Sequence, residues 1–423
     1  MINLFSPLFL IFIGLFSATA FWFIPESYYL YYLGESSYYT HNPLPAIWIV
    51  ASVLSFVLGC YVASVLIKPH RISKFTVSKI EKRIVIMIPL LLSLIYIIGL
   101  SESLGGFRQY LTIAFGGGSD SYREIVYNKL ESLNIGWMPQ AAFPFVALCA
   151  YLFFVERIRK SYIVYGITII MYIFMILPNQ TKASLISIIV TILFSYILSQ
   201  KNLSLESFRK TATYLTLALA SSIALFIFIQ SGKQGRDFSN IDGIIKEVMG
   251  YGPASFNRLG ALLEGDLKIP NSNMGYYTNT WYWDSPIINS TAIVLKNLEF
   301  DIPQPAYTNW LATFDAVGAY KLNKNYIWVT TYGEVYADYG YYGIIWFAIY
   351  GLISQIAWIN LRNNSVSIVI YIVILNSLIQ LYSTASIGNK TMLFAVIALY
   401  GLILSRKIIL KRKVERKSEK GWY

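Results

Sequence analysis

Apolar residues in this chain come in blocks of about 16–22, set apart by polar stretches, the length that crosses ~30 Å of hydrocarbon as a helix. Backbone N–H and C=O groups left unpaired in lipid are costly, so blocks of this length must be helical. The alternating ~10-residue pattern of barrel strands is not seen. Composition agrees: the 423 residues are 56% hydrophobic and 13% charged, where a soluble domain carries roughly 25% charged residues. The expected fold is all-α, a polytopic integral membrane protein. Ten spans are expected, over 5–24, 45–67, 84–100, 137–155, 162–177, 183–199, 211–229, 341–358, 365–382 and 391–405. The first is too long for the apolar core of a signal peptide.

Lys and Arg set the orientation. They gather in 68–83, 156–161, 200–210, at Arg362 and in the tail 406–423, whereas loop 25–44 holds neither. The basic side is read as the cytoplasm, with both termini on it. The net charge of +12 is then a topology signal and an affinity for anionic lipid head groups, not a nucleic-acid footprint. Cys60 and Cys149 lie inside apolar blocks, and His41 and His70 are separated by a span. Neither a disulfide framework nor a metal site is expected. The chain divides into spans one to seven (1–229), a large external loop (230–339), spans eight to ten (340–405) and a basic cytoplasmic tail (406–423).

The external loop is 110 residues long, and loops of that length are usually functional. It opens on Ser231-Gly-Lys-Gln-Gly-Arg-Asp237. Lys233 and Arg236 among glycines suit an anion held partly by backbone N–H groups, with the planar Arg236 fork gripping two phosphate oxygens. Alternatively, both snorkel at the end of span seven. Apolar spacing across 241–264 predicts two short amphipathic helices joined at Gly250-Tyr251-Gly252-Pro253 and lying on the membrane surface. Arg258 on the second faces either an anionic group or the head-group layer. Trp281, Trp283 and Trp310 belong to an aromatic stretch that fits a sugar platform or an interfacial belt. The loop ends in Thr331-Tyr-Gly-Glu-Val-Tyr-Ala-Asp-Tyr-Gly-Tyr-Tyr-Gly343. Glu334 and Asp338, four apart, share a helix face. Such a pair supplies a general base or orients an arginine, or is simply solvated. Outside the loop, Lys182 opens span six, where the helix dipole disfavours a cation unless an anion binds beside it. Arg123 is a further external cation.

The loop position, its basic glycine-flanked start and the Tyr-Gly-Glu…Asp-Tyr-Gly-Tyr-Tyr-Gly segment resemble O-antigen polymerases of the Wzy type. The resemblance covers most of the chain as architecture. At motif level it rests mainly on 331–351, then on 179–186 and 233–237. It implies a GT-C-like membrane glycosyltransferase of the bacterial inner membrane, independent of metal, cofactor and nucleotide sugar. Its substrates would be undecaprenyl-pyrophosphate-linked glycans: a growing chain as donor and one repeat unit as acceptor. Glu334 and Asp338 would be catalytic, and Arg236, Lys233, Arg258, Lys182 and Arg123 would hold the pyrophosphate. Trp281, Trp283 and Trp310 would carry sugars, and a chain-length regulator and a flippase would be partners. An O-antigen ligase shares this scaffold, but its pattern includes a histidine in the large loop, and 230–339 has none. A flippase or other transporter would carry charges within its spans, which here are nearly charge-free.

Overall fold

The computed structural model describes residues 5–67, 79–115, 120–155, 161–179, 182–200, 241–283, 306–361, 365–384 and 389–398, with a few single positions besides. Among them the regular structure is helical throughout. The helices are α1 (Pro7–Trp22), α2 (Leu44–Leu66), α3 (Lys79–Ser103), α4 (Phe107–Phe115), α5 (Asp120–Leu133), α6 (Met138–Val155), α7 (Ser161–Ile176), α8 (Lys182–Ser199), α9 (Ile241–Tyr251), α10 (Pro253–Glu264), α11 (Ala306–Ala319), α12 (Thr330–Tyr339), α13 (Gly343–Ile359) and α14 (Ser365–Ile379). Residues 390–398 are also helical.

Among the described residues, four helical stretches are long and apolar enough to cross a membrane: α2, α3, α6 and the run Thr330–Ile359 formed by α12 and α13. A fifth candidate is α1, which the chain leaves at an 89° bend into Glu26–Leu33. Helices α7, α8 and α14 are apolar but shorter. Helix therefore covers most of eight expected spans and part of the last, while 211–229 lies almost wholly outside the described residues.

Local chemistry explains where these helices start and stop. Pro7 opens α1, and the Ser6 hydroxyl accepts from Phe9 N at 3.3 Å. Pro253 opens α10, and Gly265, at φ +82°, closes it in the left-handed region that glycine adopts without strain. Helix α6 is the most buried of the four spanning candidates; it packs on α3, α7, α8 and α14. The most extensive helix pair is α2 with α13. It is built on small residues: Ser55 Oγ donates to Ile344 O at 2.7 Å and Cys60 Sγ to Gly351 O at 3.3 Å. A Cβ on Gly59 would run into Ala348 O, and one on Gly351 into Phe56 O. Close backbone approach of this kind is how helices associate where lipid removes the hydrophobic drive.

The expected pair of amphipathic helices is present as α9 and α10, but only one suits a surface position. Helix α9 leaves Ile241, Ile244 and Val248 exposed. Helix α10 is buried along Pro253–Leu263, packed against Tyr38–His41, α2 and α12. Asn257 and the terminal nitrogens of Arg258 bond to protein partners, and the burial of this helix corrects the membrane-surface reading for that half.

Candidate functional site

Helix α12 carries the two acids singled out in the sequence, and both are buried: Glu334 is 8% exposed and Asp338 4%. At 1.5 Å per residue the 30-residue run Thr330–Ile359 is ~45 Å long. That exceeds the ~30 Å of hydrocarbon, so a bilayer crossed by the apolar α13 would leave α12, with its threonines and acids, beyond it. Thr330, at φ +65°, starts α12 in the left-handed region, strained for a β-branched residue. Its Oγ1 accepts from Gly333 N at 3.2 Å. Thr331 N and Oγ1 donate to Leu381 O and Thr384 O at 3.0 and 2.7 Å. At the other end Gly340 closes α12 with φ 56° and ψ −142°, a backbone region almost reserved for glycine. The acids are thus held by a helix fixed at both ends.

Asp338 faces the segment before the short helix Thr280–Trp283. Its Oδ2 accepts from Thr278 N and Thr278 Oγ1, both at 2.8 Å, and its Oδ1 accepts from Tyr277 N at 3.3 Å. The segment is seated on α12 by Asn273 N donating to Ala337 O at 2.7 Å. Burial raises the Asp338 carboxyl from 3.8 to about 6, against the lowering effect of the hydrogen bonds from Thr278 and Tyr277. Beyond Thr278 Oγ1, the Tyr339 hydroxyl lies at 2.8 Å, and Asn279 Nδ2 donates to that hydroxyl at 3.0 Å. Trp281 is exposed and Trp283 half-buried, two and four residues past Asn279 in the same short segment. Trp310 is exposed on α11, its ring edge-on to Phe314 at 4.8 Å. A buried carboxyl raised to about 6 can hold or release a proton near neutral pH.

No family model matches the chain, and neither a curated protein nor a solved structure does. The functional reading therefore rests on the chain's own residues. Arg258 stands differently from its expected role. It is fully buried, and Nη1 and Nη2 reach Glu35 Oε1 and Oε2 at 2.6 and 2.8 Å. The same nitrogens also donate to Ala254 O and Asn323 O at 2.9 and 3.0 Å. Both terminal nitrogens are taken by protein partners, and the remaining Nε, which has none, is buried. Glu35 is further held by Asn257 Nδ2 at 3.0 Å and Asn323 N at 2.8 Å. The cluster fastens the 25–44 segment to α10 and to the turn before α12.

Of the other expected cations, Lys233 and Arg236 lie outside the described residues, as do the side chains of Lys182 and Arg123. Lys182 does open α8, and Arg123 lies within α5. An apolar groove of about 190 Å³ between α1 and α2, bounded by Leu15, Trp22, Tyr39 and Ile49 among others, contains neither acid. Sequence reasoning missed Glu35, Thr278 and Tyr339. Glu35 left a trace, as an acid in a loop with no Lys or Arg of its own. Thr278 left none.

Proposed function

We propose that the chain is a membrane glycosyltransferase of the bacterial inner membrane that joins undecaprenyl-pyrophosphate-linked oligosaccharide repeat units, as O-antigen polymerases do. The observation that carries this reading is Asp338, a buried carboxyl raised to about 6 at the polar end of an apolar helix, four residues from a second buried acid. A base of that acidity is ionised at neutral pH and still basic enough to receive a proton in the transition state. The reaction asks little else of the protein. The acceptor hydroxyl attacks the anomeric carbon of the donor, and the pyrophosphate, already a good leaving group, departs. Positioning and charge stabilisation supply most of the acceleration.

Ten spans, an external 230–339 loop and cytoplasmic termini complete the proposed topology. They place the acids at the outer membrane surface, where a lipid-linked substrate presents its sugars. Lys233 and Arg236, the cations that open the loop, remain the proposed pyrophosphate ligands. Trp281 and Trp283, next in sequence to the Asp338 partners, are proposed to stack the acceptor sugar.

Purified protein in proteoliposomes, given lipid-linked repeat units alone, is expected to produce a ladder of lengthening glycans. A requirement for nucleotide sugar, or product formed only on a lipid A–core acceptor, would overturn the polymerase assignment.

A further inference from the structure

We propose that Tyr339 and Thr278 form a directed hydroxyl relay that carries the acceptor's proton to Asp338, an inference that rests on the polymerase reading above. Asp338 is 4% exposed and Thr278 is 3% exposed. The carboxylate is therefore sealed from any substrate and must act through something that reaches the surface. Tyr339 is half-buried, and its hydroxyl is joined to Asp338 through one intervening group. The distances are 2.8 Å from Tyr339 Oη to Thr278 Oγ1 and 2.8 Å from Thr278 Oγ1 to Asp338 Oδ2.

The chain has a direction. An ionised carboxylate only accepts, so Thr278 must spend its one hydroxyl hydrogen on Asp338. Its oxygen then accepts, and Tyr339 is the donor in the bond they share. Asn279 Nδ2 donates to Tyr339 Oη at 3.0 Å, so that oxygen has one acceptor position left. A further donor there is what an incoming sugar hydroxyl would be.

The step balances. The acceptor hydroxyl passes its hydrogen to Tyr339 Oη, Tyr339 passes its own to Thr278 Oγ1, and Thr278 passes its own to Asp338 Oδ2. The acceptor oxygen forms the bond to the anomeric carbon, and the bond from that carbon to the pyrophosphate oxygen breaks with its electron pair leaving on the pyrophosphate. Once the product has left, Asp338 returns the proton along the same chain to bulk water reaching the Tyr339 hydroxyl. Tyr339 is the catalytic residue here, since it touches the substrate, and Thr278 positions the proton path.

Four variants, Thr278→Val, Thr278→Ser, Tyr339→Phe and Asp338→Asn, test it in the proteoliposome assay. Thr278→Val keeps the backbone N–H that binds Asp338 and removes only the hydroxyl. Tyr339→Phe removes only the phenolic oxygen. Both are expected to lower kcat by about 10²-fold or more with little change in KM, and Thr278→Ser to recover kcat to within about three-fold. If Thr278→Val and Tyr339→Phe turn over at the wild-type rate while Asp338→Asn is inactive, the relay is wrong and the polymerase reading stands. If Thr278→Ser is as impaired as Thr278→Val although both fold, the hydroxyl is not the working group and the relay is again wrong. If the wild-type protein makes no polymer from lipid-linked units, the functional reading itself falls and takes the relay with it.

Discussion

Arg258 and Asp338 are both buried ionisable residues on the same part of the molecule, and their surroundings give them opposite characters. Arg258 meets a carboxylate that neutralises it, with hydrogen bonds on both terminal nitrogens. Removing one partner of such a pair leaves the other charge uncompensated, at a cost of ~3–5 kcal/mol. Arg258→Ala is expected to lower the melting temperature in detergent sharply, with Glu35→Ala doing the same. The double variant should lose much less than the sum of the two. A change in KM for lipid-linked substrate with no thermal effect would instead return Arg258 to the substrate site. Asp338 has no cation among the partners described above, and burial favours its neutral form. Because its folded value lies above the ordinary 3.8, its contribution to stability is greatest at low pH and is lost as the pH rises from about 4 to about 6. Its use as a base runs the other way, since only the ionised form accepts a proton. The site works at the pH where this residue costs the fold most.

At the scale of elements, α2 and α13 show how glycine placement decides packing. Gly351 has Phe56 O where its Cβ would be, whereas Gly14 in α1 has only Tyr332 Oη and Leu381 Cδ1 at 3.6 and 3.7 Å. Gly351→Ala must therefore force the two helices apart, and is expected to cost ~1–3 kcal/mol. Gly14→Ala meets ordinary contacts and gains helix propensity of up to ~1 kcal/mol. Thermal melts of the two variants should differ in sign, and a Gly351→Ala protein as stable as wild type would contradict the packing described here. Gly340 and Gly343, three apart at the junction of α12 and α13, serve different ends. Gly343 faces Val335, with Cγ1 2.6 Å from an added Cβ. Gly340 serves a backbone turn instead, with open space around it. Helical periodicity shows which residues share a face. It does not show which face another helix will occupy, so Gly59 and Gly351 went unnoticed.

For the whole molecule, the helical class and the long apolar helices were legible because block length and the cost of bare backbone in lipid leave few alternatives. The pairing of Glu334 with Asp338 on one face was legible from a spacing of four. What could not be read were contacts between distant segments. Glu35 meets Arg258 across 223 residues, and Thr278 meets Asp338 across 60; neither pattern is periodic. The sequence marked Arg258 as an anion ligand, and the anion it meets in the fold is the Glu35 carboxylate from residues 25–44. The same limit hid the hydroxyl chain at Asp338, whose members are common residues with no motif of their own.

The central claim is that Asp338 is the base of a lipid-linked glycan polymerase, and turnover against pH tests it most directly. Initial rates of wild type and Asp338→Asn would be measured in proteoliposomes with lipid-linked repeat units between about pH 4.5 and 8. The account predicts that the wild-type rate rises about tenfold per pH unit at the acid end and levels off above a midpoint near the value of about 6. Asp338→Asn should be about 10²- to 10⁴-fold slower and lack that rise. A folded Asp338→Asn protein that polymerises at the wild-type rate with the same pH profile would contradict it.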